Sequence, residues 1–132
     1  MFIDASALVA IVAREPDHEE LKRRLKGHRR RTISAFVVYE ATLALSRIGG
    51  VSLDDAQALV MEFKKIFAVA EVNIELRFAA MALDAFERYG RGQGHKAKLN
   101  MGDCFAYACA KALNAPLLFK GDDFIHTDIK IA

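Results

Sequence analysis

Four acidic side chains stand out in this 132-residue chain because of their surroundings. Glu40 lies inside the run Ala35-Phe36-Val37-Val38-Tyr39-Glu40-Ala41-Thr42-Leu43-Ala44-Leu45, where folding into a helix would strip its carboxylate of most of its water. Glutamate is almost never fully buried alone, so residue 40 needs a basic side chain, a set of donors or a metal ion. Asp4 directly follows Phe2-Ile3, Asp103 stands at the head of an apolar segment, and Asp122 follows Leu117-Leu118-Phe119. Each of these three also has a plainer reading. Asp4 suits the N-cap of a helix over Ala5 to Ala13, Asp103 answers a cap at Asn100, and Asp122 fits an ordinary Gly-Asp-Asp turn. Glu40 has no capping role open to it, being a turn or more inside its helix; its alternative is a buried ion pair with an arginine.

Gathered at one site, the four carboxylates would repel each other and drive some pKa values up, a conflict that a divalent cation removes. Oxygen-only ligation, with no histidine or cysteine at motif distance, selects Mg²⁺ or Mn²⁺ over zinc. Such a site suits phosphoryl chemistry, in which the ion polarises a phosphate oxygen and activates a water. No nucleophile competes: the chain has no Gly-x-Ser-x-Gly and no P-loop lysine, and Gly90-Arg91-Gly92-Gln93-Gly94 does not follow a strand. His18, His28, His95 and His126 read as surface residues. Cys104 and Cys109, five apart on one helix, favour neither a local disulfide nor a metal pair.

These side chains must be positioned by short elements. Phe2-Ile3 reads as a strand and Ala5 to Ala13 as a helix. A second helix opens near Pro16 and ends at Gly27. Thr32-Ile33-Ser34 is a strand leading into the Glu40 helix, which Gly49-Gly50 closes. Ser52 to Asp55 opens a helix with the apolar face Leu53, Ala56, Val60, Phe63 and Phe67. Val69 to Ile74 can form a strand, and Leu76, Ala79 or Ala80, Leu83 and Phe86 mark the apolar side of another amphipathic helix. Asn100 to Asn114 is helical, Leu117 to Phe119 a strand, and Ile129-Lys130-Ile131 a last strand. Short apolar strands alternating with helices predict an α/β fold, a three-layer α/β/α sandwich around a short central parallel sheet. Binding sites in such sheets collect beyond the carboxyl ends of the strands, where three of the acids fall.

Bulk properties narrow the class. The length predicts one domain over residues 1–132. At 53% hydrophobic and 27% charged the composition is that of a soluble protein, and no apolar run approaches the ~20 residues needed to span a bilayer. No secretory signal is visible at Met1-Phe2-Ile3-Asp4, so a cytoplasmic setting is expected. Net charge is only +2 but unevenly spread. Lys22, Arg23, Arg24, Arg29 and Arg30 lie in one basic run and Lys96 and Lys98 in a glycine-rich loop, both able to meet phosphates; the plainer reading is solvated surface.

Several blocks carry a resemblance. Phe2-Ile3-Asp4-Ala5-Ser6-Ala7, the Val38-Tyr39-Glu40 helix, Leu99-Asn100-Met101-Gly102-Asp103-Cys104-Phe105-Ala106-Tyr107-Ala108 and Leu117-Leu118-Phe119-Lys120-Gly121-Asp122-Asp123-Phe124 together resemble PIN-domain ribonucleases, above all VapC-type toxins of bacterial toxin–antitoxin pairs. The likeness spans essentially the whole chain, with its motifs in order. It implies a Mg²⁺-dependent endoribonuclease that hydrolyses a phosphodiester and leaves a 5′-phosphate. By motif position Asp4 and Asp103 are the principal metal ligands. Glu40 and Asp122 act directly or through waters, and Ser6 hydrogen-bonds a carboxylate. The resemblance also implies a homodimer, an antitoxin of VapB type, and heterotetramers or larger assemblies with it. Two departures stand out: Lys120 replaces a common Ser or Thr and is a candidate phosphate contact, and the loop before Asn100 reads His95-Lys96 where the family often carries a proline after the histidine. Asp123 competes with Asp122, which motif register favours. The alternative is a PIN-like module that grips RNA or protein without catalysis. A haloacid-dehalogenase-like phosphatase is disfavoured because Ser6 stands where its second aspartate belongs.

Overall fold

The strands of this protein are too short to stand by themselves and too apolar to face water. Phe2 and Ile3 are fully buried, as are Leu117 and Leu118, the pattern of strands covered on both faces. The computed structural model describes residues 1–132. Its elements run β1 (Phe2–Ile3), α1 (Ala5–Val12), α2 (His18–Lys26), β2 (Thr32–Ser34), α3 (Ala35–Gly49), α4 (Leu53–Ile66), β3 (Ala70–Val72), α5 (Leu76–Tyr89), α6 (Met101–Ala112) and β4 (Leu117–Leu118). The four strands form one parallel sheet in the order β3-β2-β1-β4. Phe2 pairs with both Thr32 and Leu117. Helices cover both faces in three layers, with α6 packed on β1 and β4 and α5 outside it, while α1 packs against α2, α3 and α4.

The order places a topological switch at β1. From β1 the chain steps to β2 and β3 on one side, then returns to β4 on the other, so the crevice at the carboxyl end of β1 is open to ligands. The helices that surround it are started by side chains. Asp4 caps α1, Ser34 caps α3, and Asn100 caps α6 in a reciprocal box with Asp103. Gly50 ends α3 at φ +60°, a left-handed conformation that costs glycine nothing.

Three sequence expectations need correction. The apolar side of α5 read from the sequence is turned outward: Leu76, Leu83 and Phe86 are exposed, whereas Phe78, Ala82, Ala85 and Tyr89 are buried. Both readings have helical spacing, and packing against α6 selects the second. Leu53 is likewise exposed at the start of α4, although Ala56, Val60 and Phe63 are buried as expected. Ile129-Lys130-Ile131 is not a full strand; a single bridge joins Ile131 to Leu117.

Side chains secure the tail instead. The Tyr107 hydroxyl donates to Asp128 Oδ1 at 2.5 Å and Lys111 Nζ to Oδ2 at 3.0 Å, with Arg88 3.5 Å away. These donors hold the Asp128 carboxyl well below its usual range, although burial works against them. A depressed folded pKa stabilises above the unfolded value, near 4, and that stability fades as pH falls through the folded value. Asp128→Asn should therefore lower Tm at neutral pH by a few degrees, about 1 kcal/mol after discounting for solvent exposure. The difference should shrink in acid; scanning calorimetry at both pH values checks this.

Candidate metal centre and the family of the fold

Asp4 occupies the carboxyl end of the central strand. Its amide donates to Leu118 O at 2.9 Å, continuing the sheet one residue past the strand, and only 4% of its surface is exposed. One carboxylate oxygen, Oδ2, accepts from the Ser6 amide at 2.9 Å and from the Ser6 hydroxyl. Capping and burial thus coexist in one residue, and the two readings of Asp4 were not rivals. The Ser6 hydroxyl in turn accepts from the Lys120 amide at 3.0 Å, tying the end of β4 to the same point. Desolvation raises the Asp4 pKa, and the Ser6 bonds only partly oppose it.

Two further acids line the same cleft, a cavity of about 250 Å³ bounded by Asp4, Ala5, Ser6, Val9, Glu40, Ala44, Asn100 and Asp103. Asp103 receives the Asn100 amide at 2.8 Å on Oδ2. Burial, followed by the charges of Asp4 and Asp123, pushes its pKa up to about 6 despite that bond and a weaker pull from Arg91. Glu40 is pushed up to about 7, first by burial and then by Asp4 and Asp103. No lysine or arginine forms an ion pair with any of the three. The arginine partner left open for Glu40 in the sequence is therefore absent.

The backbone makes room for Glu40 at one place. A Cβ built on Gly102 would fall within 2.6 Å of the Glu40 Cδ, so the carboxylate of α3 fills the space that glycine leaves on α6. Sequence reasoning passed over Gly102. Its place one residue before Asp103, inside a helix where glycine costs about 1 kcal/mol against alanine, was the available signal.

Asp122 and Asp123 are both exposed in the turn after β4. Motif register points to Asp122, but the charge that bears on Asp4 and Asp103 belongs to Asp123. Lys120 also departs from expectation: its Nζ is held by Glu15 and lies 3.5 Å from Asp17. Lys22 pairs with Glu19, Arg23 with Glu20, and Arg24 donates to the carbonyl of Ala132, whereas Arg29 and Arg30 are exposed. Lys96 and Lys98 are exposed and carry no ion pair. His18, His28 and His95 are partly buried and hydrogen-bonded rather than free on the surface. Cys104 and Cys109 are buried free thiols with pKa values raised by desolvation to about 11, which leaves them inert.

The donor set fits a hard divalent cation: carboxylate oxygens, half dehydrated, raising one another's pKa with no ion pair to relieve them. The acids ring the cleft and do not close into a ready-made cage of three. A larger apolar groove of about 400 Å³, between Leu83 and Phe86 of α5 and Met101 and Phe105 of α6, offers no carboxylate and no such chemistry.

Comparison with known proteins agrees with this geometry. The PIN-domain family matches residues 1–130. A VapC ribonuclease of Rhizobium meliloti is 40% identical, the alignment covering 97% of this chain and 98% of the relative. Ribonuclease VapC42 of Mycobacterium tuberculosis is 36% identical over 100% of this chain and 98% of its own. The chain belongs to the PIN-domain family, in its VapC ribonuclease branch. The crystal structure of Mycobacterium tuberculosis VapC20, a sarcin–ricin loop cleaving toxin, shares the fold at TM-score 0.79 and 16% identity, covering 99% of this chain and 97% of that one. A toxin–antitoxin complex from Klebsiella pneumoniae contains a chain with the same fold at TM-score 0.61 and 15% identity, covering 88% and 82%.

Two outcomes follow from the crowded acids. Glu40 and Asp103 have folded pKa values above their unfolded ones, so their contribution is full below about pH 4 and is lost as pH rises through 6 to 7. In chelator, Tm should fall between about pH 5 and about pH 8, and Glu40→Gln should flatten that slope. A slope unaltered by Glu40→Gln would mean that its carboxylate is solvated. Gly102→Ala should displace Glu40 and shrink the Tm rise given by millimolar Mg²⁺, while the metal-free fold persists; thermal melts with and without the ion measure both.

Proposed function

We propose that this chain is a divalent-metal-dependent endoribonuclease, the toxin of a VapBC-type pair. The supporting observation is the cleft at the end of β1, where Asp4, Glu40 and Asp103 share one dehydrated space with no paired cation. In this reading Asp4 and Asp103 hold Mg²⁺ or Mn²⁺, with Glu40 and an acid of the 122–123 turn completing the set. The bound ion supplies positive charge against the scissile phosphate and makes water more acidic. Ser6 keeps one Asp4 oxygen fixed, leaving the other for the ion. Glu40, on the wall of the same cleft, is placed to orient the attacking water and accept its proton. Attack on phosphorus with departure of the 3′ oxygen leaves a 5′-phosphate on the product.

An antitoxin partner fits the same reading, by analogy with the toxin–antitoxin complex that shares the fold. The outward apolar side chains of α5 and α6 offer surface for a homodimer or for that partner. The buried run Leu8 to Ile11, by contrast, is core and free for neither. The alternative, a PIN-like module that binds RNA or protein without cutting, takes its support from the acids' failure to form a closed cage.

Cleavage of a labelled RNA in Mg²⁺ separates the two. Asp103→Asn should reduce the rate by about 10³-fold or more while leaving the fold intact. Of the turn acids, Asp123→Asn should cost more than Asp122→Asn; the reverse order would return the fourth role to the register assignment. No cleavage by the unmodified protein, with RNA still bound, would favour the non-catalytic module.

A further inference from the structure

The densest positive run in the sequence is partly neutralised within its own helix, and Arg30, which it leaves unpaired, lies beside Met1 and Pro116 at the amino ends of β1 and β4, not at the acid cleft. In α2, Lys22 and Arg23 are neutralised by Glu19 and Glu20, and Arg24 is spent on the chain's final carbonyl. The 91–98 loop is different. Arg91, Lys96 and Lys98 are exposed, and none of them forms an ion pair. With Gly92, Gly94 and His95 they bound an open basin of about 650 Å³ that contains no acid and no apolar residue.

The loop is also built and anchored. Its two ends pair as a bridge between Gly90 and Leu99, with the Arg91 amide on Leu99 O at 2.9 Å and the Leu99 amide on Tyr89 O at 2.9 Å. Leu99 and Ala97 are fully buried, and the His95 ring packs edge-on against Tyr89 at 5.0 Å. Gly92 and Gly94 sit at φ +90° and +78°, so the backbone turns with no side chain to block a ligand. The residue after Leu99 is Asn100, which caps α6 and lines the acid cleft. Basin and cleft therefore adjoin, and the Arg91 charge is felt at Asp103.

From this we infer that Arg91, Lys96 and Lys98 form a seat for the sugar–phosphate backbone of the RNA, one or more nucleotides from the bond placed in the acid cleft. Unpaired cations beside a cluster of carboxylates serve complementary ends: without an ion the cleft repels phosphates, and the seat holds the strand against that repulsion. An acidic protein segment would also meet positive charge here, but the basin gives it no apolar side chain to bury, as a protein interface core would. A nucleic-acid backbone needs only charge and space. Arg91, Lys96 and Lys98 meet the strand's phosphates away from the reacting atoms. The inference rests on the ribonuclease reading for the identity of the bound strand.

The test uses the full chain and a fluorescein-labelled stem-loop RNA, with anisotropy read in chelator at several salt concentrations. The triple variant R91A/K96A/K98A should bind about tenfold or more weakly, with a log affinity against log salt slope shallower by about two. Lys65→Ala with Lys130→Ala, removing exposed lysines on α4 and in the tail beside β4, should leave both unchanged. In Mg²⁺, cleavage by the triple variant should show KM raised about tenfold and kcat within about threefold, the mark of binding used equally before and during reaction. Circular dichroism melts confirm that the variant folds, and the single reversal Lys96→Glu offers a milder version of the same loss. Unchanged affinity and slope in the triple variant, or a larger loss from Lys22→Ala with Arg23→Ala, would overturn the seat. So would triple-variant RNA binding at the parental level combined with lost capture of an acidic peptide. If the parent binds RNA through the loop yet never cuts it, the ribonuclease reading fails and the seat stands.

Discussion

A carboxylate sealed at the end of the central strand governs this molecule. Asp4 cannot be moved to solvent without breaking the sheet, because its amide is bonded to Leu118 and its own strand is only two residues long. It cannot be left unsupported either, and Ser6 supplies two donors to one of its oxygens. The cap of α1, the end of β4 and the floor of the cleft are thus fixed by one residue. Around it, α3 brings Glu40 and α6 brings Asp103, each made harder to ionise by the other acids. The molecule gives up stability at neutral pH to keep these charges together. That is the usual mark of a functional site rather than of a structural one.

Much of the architecture was legible in the residues alone. Strand and helix alternation, with caps at Ser52 and Asn100 and a stop at Gly49-Gly50, gave the parallel sheet and its order of elements. Glu40 announced itself by being acidic in an apolar run. What escaped was whatever depends on a choice between equally periodic faces. On α5, Leu76, Leu83 and Phe86 have the spacing of a buried stripe, yet Phe78, Ala82, Ala85 and Tyr89 are the ones buried. Periodicity detects that a stripe exists; only the neighbouring helix determines which of two is used. The terminal Ile129 to Ile131 segment misled for a similar reason, since β propensity says nothing about whether an edge strand is long enough to receive a partner.

The site shows the same division. Asp4 and Asp103 were visible because strand ends and helix starts can be read locally. The contribution of Gly102 was not, because it concerns space required by a residue 62 positions earlier. Charge was the least transparent property. Lys22 and Arg23 looked available until their helix set Glu19 and Glu20 three residues away, whereas the sparser 91–98 loop retains its cations. Counting basic residues measures supply; pairing determines how much remains for a ligand.

The contact between the Ser6 hydroxyl and residue 120 has a genetic corollary. Because the donor there is a main-chain amide, it is present whatever side chain the codon specifies, proline excepted. Position 120 is consequently released from service to the acids. In this chain its lysine clasps Glu15 and Asp17, fastening the turn to the α1–α2 connection. Exchanging that lysine therefore changes how tightly the turn carrying Asp122 and Asp123 is fastened, while the serine's hold on the first aspartate keeps its donor.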